Sequence, residues 1–258
     1  AQAEPTRIAP AAPPGRMGPR RTSSTERPAV ACPPSRQLLA LLALASGGAA
    51  DGPTPVTIPT RLGDLKARVY GHADRPLAIA VHGANTQDWI HHEWDDVAVA
   101  LSKEAGYHVV QPNFHSVDGL RTLQDPAAAA SLLLDIARWV HERAELPEPP
   151  TLSLPLLLGK SWGGGVAAEV AALPSQPVRR LVLVAPAAIS SPILCTTALF
   201  CTQDDPRIKR AGTWRTMIKD LAFFHTEPTG GHRVLQSYTQ KIVAFAGAGA
   251  ASSGADGG

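Results

Sequence analysis

The sequence has few cysteines: Cys32, Cys195 and Cys201 are the only three among its 258 residues. So small and odd a number does not provide the disulfide framework that holds small secreted domains together. We therefore expect Cys195 and Cys201 to act as small buried hydrophobic residues. The fold must depend on an apolar core instead, and a hydrophobic content of 44% is sufficient for one.

Strong net charge and long apolar runs are also missing. The formal net charge is only +2, which does not predict a nucleic-acid partner. The apolar run at residues 38–45 is far shorter than the roughly 20 residues that a membrane-spanning helix needs. We predict no stable membrane span.

Lysine is absent from residues 1–50, which carry six arginines and two glutamates and are rich in Pro, Ala and Ser. Such a composition cannot bury enough apolar surface to fold alone, so residues 1–52 are predicted to be a disordered or targeting segment. The apolar run resembles the core of a secretory signal, and the Arg-rich stretch before it resembles an organellar transit peptide. Secretory, organellar and cytoplasmic locations all stay open. Residues 53–246 are predicted to form one domain, and the Gly/Ala/Ser-rich residues 247–258 a flexible tail.

Motifs for phosphate and metal binding are incomplete. Gly159-Lys160-Ser161 looks like the end of a P-loop, but Leu154 stands where that loop needs a glycine. No G-x-G-x-x-G fits there either, and no H-E-x-x-H or comparable ligand spacing is present around His91-His92-Glu93. We predict no metal and no cofactor, and we interpret residues 91–96 as a solvent-exposed helix start.

The most informative pattern that is present is the G-x-S-x-G of residues 159–163, which follows a short apolar run and opens an Ala-rich segment. This pattern is typical of a nucleophile elbow, in which a strained turn raises a serine hydroxyl above the end of the sheet. Its glycines allow strand and helix to approach closely. Ser161 is therefore the candidate nucleophile.

A serine nucleophile requires a histidine base and a carboxylate, and on an elbow of this kind they follow in the order acid, then base. The predicted strand at residues 198–202 ends just before Asp204-Asp205-Pro206, and Asp205 is the candidate acid, with Asp204 as the alternative. His232 follows a Gly-Gly turn after the last predicted strand and is preferred to His225 as the base.

A loop suited to an oxyanion hole follows the buried strand predicted at residues 77–81. His82-Gly83 begins this loop, and the backbone N–H groups of Ala84 and Trp162 are the candidate donors to a developing oxyanion. Asn85, Trp89 and His115 are the candidates for the wall of the substrate pocket.

Through His82-Gly83, the elbow, Asp204-Asp205-Pro206 and Gly230-Gly231-His232, the chain resembles the α/β-hydrolase superfamily over residues 56–245. The resemblance implies a serine hydrolase that cleaves a carboxylic ester or similar acyl bond of a small molecule through an acyl-enzyme, as a carboxylesterase or thioesterase does. The position of the acid in this superfamily also favours Asp205 over Asp204. An acyltransferase and a non-catalytic ligand-binding protein remain alternatives. The oligomeric state stays open.

Alternating strands and helices predict an α/β fold, with a mostly parallel, doubly wound sheet covered by helices on both faces. Only 44 positions separate Ser161 from Asp205, which leaves no room for a sizeable cap domain. The predicted strands cover residues 56–59, 65–70, 77–81, 107–110, 178–184, 198–202 and 220–224. The predicted helices cover residues 94–104, 126–143 and 234–245, besides the one after the elbow.

Overall fold

The computed structural model describes residues 52–84, 92–117, 125–144 and 152–248. The predictions for Cys32, Asn85, Trp89 and most of the two terminal segments lie outside the described residues. The strands are β1 (Thr54–Thr60), β2 (Gly63–Tyr70), β3 (Leu77–Val81), β4 (His108–Asn113), β5 (Leu154–Lys160), β6 (Val178–Val184), β7 (Thr196–Thr202) and β8 (Leu221–Glu227). The α-helices are α1 (Asp95–Glu104), α2 (Pro126–Arg143), α3 (Trp162–Ala171), α4 (Ala211–Met217) and α5 (Gln236–Gly247).

All eight strands form one sheet, in the order β1-β2-β4-β3-β5-β6-β7-β8. The β1–β2 and β2–β4 pairs are antiparallel, and every pair from β4 to β8 is parallel. The predicted fold class is therefore confirmed. From β3 the chain continues to β4 on one side of it in the sheet, whereas β5 and the later strands lie on its other side. The strand order therefore reverses between β3 and β5, where ligands of open α/β sheets usually bind.

Apolar side chains cover both faces of the sheet. Alternate residues of β3 point to opposite faces, so that Leu77, Ile79 and Val81 join one buried cluster while Ala78 and Ala80 join the other. The first cluster includes residues of α2 and α3, and the second includes residues of α1 and α5. This distribution explains why the central strands are apolar without interruption.

Most elements lie within two or three residues of their predicted bounds, and α2 has the predicted ones. Its first turn follows from the sequence, because Asp125 caps it by accepting a hydrogen bond from Ala128 N (2.9 Å) and proline occupies its first position. The prediction missed α4, and β2 begins at Gly63, two residues before its predicted start. No helix or regular strand lies between Val184 and Thr196, so the chain has no cap there.

The two cysteines within the described residues are free thiols. Cys201 is buried and Cys195 is half-buried, broadly as expected of small hydrophobic residues. Burial raises the pKa of each thiol to about 11, so both stay protonated at neutral pH.

Near the C-terminal end of the described residues, Gly247 ends α5 and Ala248 is its C-cap.

Candidate active site

Ser161 lies on the turn between β5 and α3. Its backbone has φ +56° and ψ −117°, a conformation that costs a residue with a side chain about 1–3 kcal/mol. Neighbouring backbone groups hold it there, since Ser161 O accepts from Gly165 N (3.2 Å) and Ala187 N (2.7 Å) while Ser161 N donates to Val184 O (3.0 Å). The strain is therefore fixed by the ends of two adjacent strands and the start of a helix.

The turn depends on two glycines. A Cβ atom on Gly159 would overlap the Gly163 carbonyl group, and one on Gly163 would overlap the carbonyl oxygens of Val81 and His82. No other residue fits either position without moving the backbone. The start of α3 is thus packed directly onto the end of β3, and the loop that begins at His82 lies beside Ser161.

Asp205 and His232 meet on the other side of Ser161, on the loops that follow β7 and β8. His232 Nδ1 donates to Asp205 Oδ2 at 2.6 Å, and the Asp205 side chain is only 1% exposed. Asp204 has a different role, because its carboxylate accepts from Gly230 N (3.2 Å) and Gly231 N (2.9 Å). One aspartate thus contacts the imidazole, and the other holds the loop that carries it.

The His232 imidazole has the protonation state that a general base needs. Burial lowers its pKa below the ordinary value, as do the positive charges of Lys160 and Arg207, while the hydrogen bond to Asp205 opposes this. The ring is therefore largely neutral at pH 7. Because Nδ1 donates its proton to Asp205, the lone pair is on Nε2.

Arg207 lies between the candidate nucleophile and the candidate base. Its Nη1 donates to Ser161 Oγ at 2.7 Å and contacts His232 Nε2, while its backbone N donates to Asp205 Oδ1 at 2.7 Å. Ser161 and His232 therefore do not hydrogen-bond each other directly. Since both contact one nitrogen atom, they are no farther apart than two hydrogen-bond lengths.

Lys160, the residue before Ser161, forms an ion pair with Glu93. Lys160 Nζ lies 2.5 Å from Glu93 Oε1, and the two side chains are 6% and 5% exposed. Glu93 Oε2 also accepts from Gly83 N at 3.3 Å, so this carboxylate ties the loop after β3 to the end of β5. The prediction of a solvent-exposed helix start is wrong for Glu93, because a buried lysine requires a buried partner.

The candidate oxyanion donors lie at the junction of β3 and α3. Trp162 is the first residue of α3, where backbone N–H groups have no partner within the helix. Gly83 N is bound to Glu93, which leaves the neighbouring amide of Ala84 as the candidate from this loop.

Aromatic rings pack beside Ser161. The His115 ring stacks on His82 at 5.0 Å, and Phe114 lies edge-on to Trp162 at 5.6 Å. His82 is fixed by its own hydrogen bonds, donating from Nδ1 to Gly83 O and accepting at Nε2 from Phe114 N. His115 thus packs against a ring that supports the loop after β3.

His225, the rival candidate base, is bound elsewhere. Its Nε2 pairs with Glu227 Oε1 at 2.8 Å, and its ring packs among Phe200, Phe223 and Tyr238. The structure therefore brings His232, rather than His225, to Ser161.

Three side chains of the site were not assigned a role from the sequence, namely Arg207, Glu93 and Lys160. Lys160 gave one usable signal, because it ends an otherwise apolar strand, where a buried charge needs a partner. Nothing in the sequence identifies Glu93 as that partner or places Arg207 on Ser161.

No family model and no curated protein matches the sequence. Solved structures with the α/β-hydrolase fold do match, and the chain has this fold. They include a dienelactone hydrolase from Anabaena variabilis (19% identity, TM-score 0.57, 76% of this chain and 96% of that one). An α/β serine hydrolase without a lid from Xanthomonas campestris has 20% identity and a TM-score of 0.55, over 76% and 91% of the two chains. An esterase from the archaeon Pyrobaculum calidifontis has 18% identity and a TM-score of 0.57, over 83% and 88%.

Among the described residues, no helix is both long and apolar enough to span a bilayer.

Proposed function

We propose that this chain, which has the α/β-hydrolase fold, is a serine hydrolase that cleaves a carboxylic ester or a related acyl bond of a small molecule. One observation carries the proposal. A serine on a positive-φ turn and an imidazole bound to a buried carboxylate contact the same guanidinium nitrogen. The hydrolases and esterases among the similar structures support it.

The first half of the reaction uses the residues around Ser161. Once Arg207 moves aside, the Ser161 hydroxyl donates to His232 Nε2, which takes its proton as the oxygen attacks the acyl carbonyl. Asp205 keeps the imidazole in the required tautomer and stabilises the imidazolium that forms. The imidazolium then protonates the leaving alcohol or thiol, which departs as the acyl-enzyme forms.

The second half repeats this chemistry with water. His232 removes a proton from water, which attacks the acyl-enzyme and releases the carboxylic acid while Ser161 regains its proton. In both halves the N–H groups of Ala84 and Trp162 are the proposed donors to the oxyanion, where each such donor lowers the barrier by about 3–4 kcal/mol. Because no helix or regular strand lies between Val184 and Thr196, we expect an open site that suits small esters and thioesters.

A fluorophosphonate probe tests the proposal directly, because it reacts only with an activated serine. We expect the full chain to be labelled at Ser161, and Ser161→Ala to lose both labelling and ester turnover, the latter by about 10⁴-fold or more. Ser190→Ala is the matched control, because it removes an exposed hydroxyl that contacts Glu169. Labelling that persists in Ser161→Ala would overturn the assignment of the nucleophile.

A non-catalytic ligand-binding protein is the second candidate. The position of Arg207 favours it, because a guanidinium between Ser161 and His232 suits an anion-binding site as well as a resting enzyme. The same experiment separates the two. A folded full chain that is neither labelled nor active on any ester of a chain-length series would support the binding protein.

A further inference from the structure

Arg207 occupies the space through which the Ser161 proton must pass. Its guanidinium donates to Ser161 Oγ and contacts His232 Nε2. A guanidinium has only donors and stays protonated, so it can neither accept the serine proton nor pass it on. The described arrangement is therefore a resting state, and turnover requires the guanidinium to move.

The other charges around Ser161 already have partners. Lys160 is paired with Glu93 inside the protein, and Asp205 is bound to His232 and to the backbone N of Arg207. Within the described ranges, no carboxylate lies at ion-pair distance from the Arg207 guanidinium. Among these described residues the Arg207 guanidinium thus contacts only neutral groups, and the residue is half-buried rather than fully exposed.

A carboxylate satisfies a guanidinium better than a hydroxyl and an imidazole do, because the two groups form parallel, charge-assisted hydrogen bonds. We propose that Arg207 binds a carboxylate of the substrate and leaves Ser161 and His232 as it does so. The preferred substrate is then an acyl compound with a carboxylate close to the bond that is cleaved, such as the half-ester of a dicarboxylic acid. This inference rests on the proposed function.

Binding of the substrate carboxylate to Arg207 thus determines both which substrate is preferred and when Ser161 is free to react. Substrate that carries the anion both gains an ion pair and frees the nucleophile, whereas a neutral ester must displace Arg207 without compensation. Removing the guanidinium should therefore have opposite effects on the two kinds of substrate. A side chain that only stabilised the loop after β7 would change both alike.

The test compares matched pairs of esters in a pH-stat assay. The monoethyl esters of malonate, succinate, glutarate and adipate are each measured beside the neutral ethyl ester of the same chain length. We expect at least one half-ester to be preferred by the unmodified chain. We also expect Arg207→Ala to lower the kcat/KM of that half-ester by about 10- to 100-fold, as loss of a hydrogen bond to a charged group does, and to raise the kcat/KM of the neutral partner, because no guanidinium then has to be displaced from Ser161.

Two further variants complete the design. Arg207→Lys keeps the positive charge but loses the pair of parallel donors. Its kcat/KM for the half-ester should therefore lie between those of the unmodified chain and Arg207→Ala. Lys209→Ala removes the same charge from an exposed position two residues away and should change neither substrate. Added salt should weaken the preference for the half-ester in the unmodified chain more than in Arg207→Ala.

The outcomes separate this inference from the proposed function. Suppose that Ser161 turns over neutral esters, but no half-ester is preferred, or the same preference is found in Arg207→Ala. That result would overturn the role of Arg207 and leave the proposed hydrolase function standing. Failure of every ester, with no probe labelling, would overturn both.

Discussion

Two cationic side chains flank Ser161, and they are held in opposite ways. Lys160 precedes Ser161 in the chain, is almost fully buried and is neutralised by Glu93. Arg207 reaches Ser161 from the loop after β7 and is half-buried, and within the part of the chain that the structure describes its guanidinium contacts only neutral groups. A buried pair of this kind fixes structure, whereas a partly exposed cation without a carboxylate is ready to bind one. A positive charge thus stabilises the fold on one side of the candidate nucleophile and is proposed to bind a ligand on the other.

The contrast extends to the segments that carry the two cations. On the Lys160 side, Glu93 ties the end of β5 to Gly83 in the loop after β3. On the Arg207 side, Asp205 contacts the imidazole of His232, while Asp204 holds the loop that carries it. Changes on the first side should therefore affect stability most, and changes on the second should affect turnover most.

The largest effect is expected from Asp205→Asn. An asparagine keeps the shape of the side chain but can present its amide to His232 Nδ1, which favours the wrong imidazole tautomer. We expect kcat to fall by about 10³- to 10⁴-fold, with little change in the urea midpoint of unfolding.

Asp204→Asn is the matched comparison for that variant. The Asp204 carboxylate accepts hydrogen bonds from Gly230 N and Gly231 N. An asparagine oxygen can retain one of these two bonds, so the Asp204→Asn variant should lose far less activity than Asp205→Asn. Equal losses in kcat for the two variants would show that Asp205 has no special role.

Breaking the ion pair between Lys160 and Glu93 should mainly destabilise the protein. Glu93→Gln leaves Lys160 charged, buried and without a counter-ion, so we expect a loss of about 3–5 kcal/mol in the free energy of unfolding, measured by urea titration. Adding Lys160→Met to that variant should restore much of this loss, because no buried charge then remains.

Arg138→Ala provides the control for Glu93→Gln. It breaks an ion pair with Asp135 in which the arginine is 58% exposed, and such pairs contribute about 0–1 kcal/mol. A Glu93→Gln variant no less stable than Arg138→Ala would mean that Lys160 and Glu93 do not form the buried pair.

The difference between the two sides also explains what the sequence could predict. The turn at Ser161, the bounds of α2 and the order of Asp205 and His232 along the chain follow from local rules on glycine spacing, capping and strand ends. Lys160 and Glu93 are 67 positions apart, and Arg207 and Ser161 are 46 apart. Their contacts exist only after β3, β5 and β7 are aligned in the sheet, and no local pattern specifies them. Asp204 and Asp205 are adjacent, and a preference between them was possible only from the resemblance to a family.

The smallest effect is expected in the pH profile of kcat/KM, which tests whether Arg207 contacts His232. Burial, Lys160 and Arg207 all lower the pKa of His232, whereas its hydrogen bond to Asp205 raises it. Since only the neutral imidazole is a base, kcat/KM for a neutral ester should fall as the pH falls through this pKa, with a midpoint below the ordinary value of 6.5. Arg207→Ala removes a positive charge and admits water, and both changes favour the protonated ring, so the midpoint should move to higher pH. Lys209→Ala, which removes a charge away from the imidazole, should leave it in place. A midpoint that moves to lower pH in Arg207→Ala would show that the guanidinium does not lie against His232 in solution.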